Sequence, residues 1–255
     1  MADANFTAKP AAFIAEPILS AGGIIVPPKG YYEAVRKVCD DRGMLLIFDE
    51  SQTGLGKTGK LFGFQHEDGV DPDIITISKH FGGGLPISAV CTTDEIAQKA
   101  VDAGYFATRS HATDPLLCAA GEESLKIVVE EDMPGRAARI ERRIKRAFRK
   151  MAQEFELIGD IRGRGVLLGI EFVTDRAKKT PADKEVAAMF EYCLSHGLIF
   201  QTRGVRDLKN VIRLVPPMSS SDAEVDRAMS ILYDALRTVT KGRVGPKKRK
   251  AAAKR

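Results

Sequence analysis

The chain has 255 residues, 44% of them hydrophobic and 29% charged, with a formal net charge of +5. These are ordinary globular proportions, so wholesale disorder is excluded, and no apolar run is long enough to cross a bilayer as a helix. The charge is lopsided: Lys241 to Arg255 carry eight Lys or Arg and no acid, which leaves 31 basic and 34 acidic residues elsewhere, a net of −3.

Residues 11–16 (AAFIAE) read as a short buried strand, and Pro17, Gly22, Gly23, Pro27 and Pro28 mark the loop after it. Tyr31, Val35, Val38 and Cys39 fall at helical spacing within 30–42, with Gly43 as the stop. MLLIFD (44–49) is an apolar run ending in an acid, the pattern of a central parallel strand buried on both faces. Residues 50–72 are irregular and rich in glycine. DIITIS (73–78) is a second apolar strand, followed at once by Lys79; GGGLP (82–86) is a turn and ISAVCTT (87–93) a third strand. Helix is expected over 115–131. A second long helix aligns Ile140, Ile144, Phe148, Met151 and Phe155 on one face and Arg136, Arg139, Arg142, Arg143, Arg146 and Arg149 on another, which reads as a solvated face. Beyond it come a strand (165–173), a helix (183–196), strands at 198–202 and 211–215, and a last helix opening on Ser221 with Glu224 three residues later, a capping-box pattern. Strands alternating with helices indicate an α/β sheet, and the sparser second part an α+β unit.

Several motifs fail. SQTGLGKTG has Ser51 where a phosphate-binding loop needs its first glycine. Gly163, Gly165 and Gly169 have the wrong spacing for a dinucleotide fingerprint. His66, His80, His111 and His196 share no metal-ligand spacing. Cys39, Cys91, Cys118 and Cys193 form no CxxC pair, and a reducing cytoplasm fits them best. The start carries no recognisable secretory signal. The basic tail reads as a disordered, solvated terminus, with contact to an anionic surface as the alternative. Neither a membrane nor a nucleic-acid partner is expected.

Opposite charges at two strand ends survive: Asp49 closes MLLIFD and Lys79 follows DIITIS. Ligands of open α/β sheets sit at the carboxyl ends of strands. A buried lysine there is a usable amine nucleophile, and a buried acid wants a cationic partner. Two readings stand: a structural ion pair, or two grips on one cofactor of the pyridoxal phosphate kind, which needs a lysine for its imine and a carboxylate at its ring nitrogen.

The segments IAEPILSAGGIIVPPKGYYEAVRKVCDDRGMLLIFDESQTGLGKTG and PDIITISKHFGGGLPISAV closely resemble the class III pyridoxal-phosphate aminotransferases. The resemblance continues in order through SHATDPLLCAAG, IRGRGVLLGIEF and VIRLVPPM, from residue 11 to about 240. EPILSAGG, with Leu19 and Ser20, is similar to the 2,2-dialkylglycine decarboxylase group. The resemblance implies a fold-type I transferase, α/β, with a mixed, mostly parallel sheet. Residues 1–130 are then the C-terminal part of the large cofactor-binding domain, 131–240 the small α+β domain and 241–255 the tail. It implies that Lys79 forms the imine with pyridoxal 5'-phosphate and moves protons, and that Asp49 pairs with the ring nitrogen. Gln52 binds the phenolic oxygen, and Ser51 sits at the ring face, where the family commonly has Ala or Val. Arg213 clamps the substrate carboxylate, and Ser20 lies on the substrate side. Ser110 reaches the cofactor phosphate of a neighbouring subunit, and Ser110, the Ala112 carbonyl and Asp114 match ligands of a K+ or Na+ ion. The partners implied are amino and oxo acids and a homodimer mate or second chain. Family members are much longer, so a fragment or one half of a split enzyme is expected, with exposed sheet edges and apolar surface. A plain ω-amino-acid aminotransferase and a non-catalytic interaction module are the rival readings.

Overall fold

A computed structural model of the chain describes residues 9–106, 110–203 and 209–241. Four strands, β1 (Ala12–Ala15), β2 (Leu45–Asp49), β3 (Ile74–Ile77) and β4 (Ala89–Thr92), form one sheet in that order. The first three are parallel and β4 runs antiparallel. Helix α1 (Tyr31–Arg42) makes the crossover from β1 to β2 and ends at Gly43, whose φ of 61° suits a residue without a Cβ. Tyr32 and Cys39, seven residues apart on α1, are buried with Leu46 and Phe48 of β2. The Tyr32 ring meets Phe48 edge-on at 4.7 Å.

Burial on β2 alternates, which corrects the expectation that MLLIFD is covered on both faces. Leu46 and Phe48 face the helix, whereas Ile47 and Asp49 share a face with Ile14 and Val90. That face is open: Ile14 is 63% and Val90 70% exposed, as the expected uncovered apolar surface requires. A helix unforeseen in the sequence, α2 (Asp94–Asp102), follows β4.

Helix α3 (Pro115–Glu130) leads into α4 (Met133–Glu154), on which Ile140, Ile144, Phe148 and Met151 are buried, as the spacing predicts. The second sheet is antiparallel: β5 (Ile158–Arg164), β6 (Leu167–Asp175), β9 (Val211–Leu214) and β8 (Gln201–Arg203) lie side by side, and β7 (Thr180–Pro181) pairs with β6. The single strand expected over 165–173 is therefore the second arm of a hairpin, and the strand expected at 198–202 begins at Gln201. Helices α5 (Asp183–Ser195) and α6 (Asp222–Val239) complete this part, and Ser221 and Glu224 form the capping box at the start of α6. One continuous core joins Ile140, Phe148, Leu168, Phe172, Met189, Ile212 and Leu232. Each such side chain contributes about 1.5–3 kcal/mol on burial. The arginine face of α4 is solvated, with Arg143 bridging Asp222 and Asp226.

The two sheets meet through the loop after β1. Ile18 and Ile24 pack on Leu167, and the Gly23 carbonyl accepts from Arg162 Nε at 2.9 Å. Gly165, between β5 and β6, lies so near the 57–59 loop that a Cβ there would sit 2.1 Å from the Lys57 carbonyl oxygen. Among the described residues no helix is long and apolar enough to cross a membrane. The basic tail beyond Lys241 lies outside the described residues.

Candidate functional site

β2 and β3 are adjacent and parallel, so their carboxyl ends open on one edge of the sheet. Asp49 ends β2 opposite Thr76 of β3. Its Oδ1 accepts from the Ser51 amide at 2.9 Å and from the Thr76 hydroxyl at 3.3 Å. Burial pushes this carboxyl up, but the Ser51 and Thr76 hydrogen bonds and the charge of Lys79 outweigh it, and Asp49 sits below the ordinary carboxylate range. It is a firm anion at neutral pH.

Lys79 opens the 3-10 turn Lys79–Gly82 directly after β3. Its φ of 57° is in the left-handed region, a strained conformation for a side chain of this kind. Lys79 is exposed, not buried as its position after an apolar strand suggests: the run DIITIS reports burial of the strand, not a cover over its end. Asp49 feels the Lys79 charge, yet among the described residues no ion pair joins the two, so the structural ion-pair reading has no support.

The loop after Asp49 is organised by Glu50, which the sequence analysis passed over. Its buried carboxylate accepts from the Thr53 hydroxyl and from the amides of Gly63 (2.9 Å) and Phe64 (2.8 Å). Residue 63 must be glycine for this approach, because a Cβ would lie 2.7 Å from the Thr53 Cβ. The available signal was an acid placed between a strand and a glycine-rich loop whose amides need an acceptor.

That loop carries Gln52 to Arg213. Arg213 lies on β9 between β6 and β8, only 8% exposed, and not on an edge strand. Its guanidinium donates to Gln52 Oε1 and to Gln201 Oε1, each at 3.5 Å. Two further basic groups lie close by. Burial, with Arg213 and Lys79 nearby, lowers the pKa of Lys57. Burial, with Lys57 and Lys79, pushes His80 down to about 4, so its ring is neutral. The edge thus sets Asp49, with the Glu50 carboxylate tied up by its own loop, among the cations Lys57, Lys79 and Arg213, a field that favours carboxylate and phosphate ligands.

Asp49, Ser51, Gln52, Lys79 and Arg213 are thereby gathered at one edge. Ser20 is buried elsewhere, in the loop after β1, with its hydroxyl donating to Glu16. Ser110, Ala112 and Asp114 share the turn before α3. There Asp114 accepts from the Leu116 amide at 3.0 Å and the Ala112 carbonyl from the Thr113 hydroxyl at 2.7 Å. Among the described residues no group of three or more His, Cys, Asp or Glu could hold a metal ion.

Comparison with known proteins gives the family. The family model of class-III aminotransferases matches residues 4–236. An uncharacterised aminotransferase of Schizosaccharomyces pombe and a leucine/methionine racemase of Thermococcus litoralis are each 38% identical over 236 residues, 92% of this chain and 52% of the relative. A transaminase from the marine bacterium Virgibacillus superposes with a TM-score of 0.84 at 29% identity, over 91% of this chain and 53% of that one. The omega transaminase of Pseudomonas jessenii in complex with PMP gives 0.81 at 32% identity, over 93% and 52%. The chain spans about half the length of these relatives and shares with them the α/β architecture of part of a fold-type I transferase. On the family match and the 38% identity together, this chain belongs to the class-III aminotransferases.

Proposed function

We propose that the chain serves amino-group transfer between small amino and oxo acids with pyridoxal phosphate as cofactor. One observation carries the reading: a firmly anionic Asp49 and a backbone-strained Lys79 end neighbouring parallel strands at a cationic edge. These residues suit that cofactor. Lys79 offers the amine that holds its aldehyde carbon, Asp49 the anion for its ring nitrogen, Gln52 a donor for its phenolic oxygen and Ser51 a small surface for the ring. The Pseudomonas jessenii omega transaminase, solved in complex with PMP, is consistent with this assignment.

When bound, the cofactor supplies an electron sink for the charge left at the substrate α-carbon. The rest is the protein's work. Asp49 stays ionised, so the ring nitrogen keeps its proton. The Lys79 amine takes a proton from the reacting carbon and returns it, as a general base and acid. Arg213, a rigid fork held between Gln52 and Gln201, grips the substrate carboxylate and fixes which bond faces the cofactor.

The finer assignments rest on the resemblance. We place the division of the chain at residues 130–131 and assign Ser110 to a neighbouring subunit's cofactor phosphate. An identical copy or partner chain completes the site, in the cytoplasm. Decarboxylation-coupled transfer of the 2,2-dialkylglycine type is favoured by one feature, Leu19–Ser20 in EPILSAGG. With it go Ser20 on the substrate side and a K+ or Na+ ion at Ser110, Ala112 and Asp114. Carbon dioxide release from a dialkylglycine distinguishes it from plain transfer.

The test of the main reading is a visible absorbance spectrum of the full chain with pyridoxal phosphate, before and after borohydride. A band that borohydride bleaches and that Lys79→Ala lacks is expected. A spectrum identical in wild type and variant refutes the role of Lys79.

A further inference from the structure

A cavity of about 820 Å³ opens beside Arg213, between β8, β9 and the first half of α6. That volume is within the range of small-molecule sites. At one end stand Gln52, Gln201 and Arg213; Phe200, Val215, Pro217 and Met229 line the rest. Among the described residues its only charged lining groups are Arg213 and Glu224, and the Glu224 carboxylate is committed to the Ser221 amide and hydroxyl at 2.8 Å each. Val215, two residues beyond Arg213, lines the same cavity. A carboxylate on Arg213 therefore has apolar wall immediately beside it. Among the described residues no second cation lines the cavity to receive a second acid group.

We infer that this cavity is the subsite for the substrate side chain, and that the favoured amino and oxo acids carry a long or bulky hydrocarbon chain. The inference rests on the amino-transfer reading for the nature of the ligand, while the binding it describes needs only Arg213 and the cavity walls. Each methylene that leaves water for an apolar wall is worth about 0.8 kcal/mol, which converts to roughly fourfold in affinity. The chain length of the ligand is thus the variable that reads the cavity.

The experiment is calorimetric titration of the full chain, with and without pyridoxal phosphate, using pyruvate, 2-oxobutanoate, 2-oxohexanoate, 2-oxooctanoate and 2-oxoglutarate. Affinity is expected to rise about fourfold per methylene. Ala228→Phe, which fills the cavity from a half-buried position on α6, and Ile199→Glu, at a lining residue 75% exposed, are expected to abolish that rise. The second variant sits where a charge does not disturb the core. Equal affinity for all chain lengths, no binding of any of them, or tighter binding of 2-oxoglutarate than of 2-oxohexanoate overturns the inference. The same titration of Lys79→Ala separates the two readings. Chain-length dependence without a borohydride-reducible band retains the subsite and sinks the cofactor assignment, and the reverse result does the opposite.

Discussion

His80 allows a stringent test of how the edge around Lys79 is built. Its Nε2 lies 2.9 Å from the Gly54 carbonyl, which can only accept, so Nε2 carries the hydrogen. Nδ1 is then a buried lone pair with no partner among the described residues. Protonation there puts a charge in a buried site, beside the charges of Lys57 and Lys79. The folded ring therefore refuses a proton until about pH 4, whereas an unfolded one takes it near 6.5. Between those values the unfolded chain binds more protons, so stability falls as pH drops through the window and is level on either side of it. At about 1.36 kcal/mol per pH unit the full gap amounts to about 3 kcal/mol, and the ring's partial exposure reduces this to about 2 kcal/mol. The control is His80→Gln, whose amide still donates to Gly54 but does not titrate. The chain has no tryptophan, so urea unfolding is followed by circular dichroism at a series of pH values from about 4 to 7.5. Subtracting the variant removes the other groups, including Glu50, whose carboxyl burial raises and which acts in the opposite sense. A difference curve flat to within about 0.5 kcal/mol across the window refutes the argument.

Two further outcomes follow from burial. Glu50→Leu strands the Gly63 and Phe64 amides and the Thr53 hydroxyl without an acceptor and is expected to cost roughly 3 kcal/mol or more, whereas Glu50→Gln, which keeps one accepting oxygen, costs about 1 kcal/mol; denaturant titration measures both. Phe148→Ala empties the fully buried centre of the α4 core and is expected to lose about 3–5 kcal/mol, seen as a lower urea midpoint at unchanged slope.

What was legible in the chain is what physical periodicity marks. The face of Ile140, Ile144 and Phe148, the capping box of Ser221 and Glu224, and the Gly43 stop all leave a local pattern. Helix α2 leaves none, because no residue of DEIAQKAVD is buried. Strand β5 reads IGDIRGR, with its alternation broken by glycines, charges and a register shift between Ile158 and Asp160. At the edge, Asp49 and Lys79 were legible because a charge at the end of an apolar run stands out. That Arg213 and Gln52 belong to one site was implied only by family resemblance, and their contact by nothing in the sequence, since no spacing rule spans 161 residues. Glu50 and His80 were hidden by better-marked neighbours, Asp49 and Lys79. Their parts depend on amide and carbonyl groups that a string of side chains does not display.

The separation between Gln52 and Arg213 also sets a timetable. A ribosome adding roughly 5–20 residues per second takes about ten to thirty seconds to travel the 161 residues between them. Asp49 is made just before that interval and Lys79 early in it, and strands β1–β4, which present them, all precede β5–β9 in the chain. Arg213 waits for β9, which docks against β6 and β8 only when the last helix is about to be made. During synthesis Lys79 and Asp49 are thus in place well before Arg213.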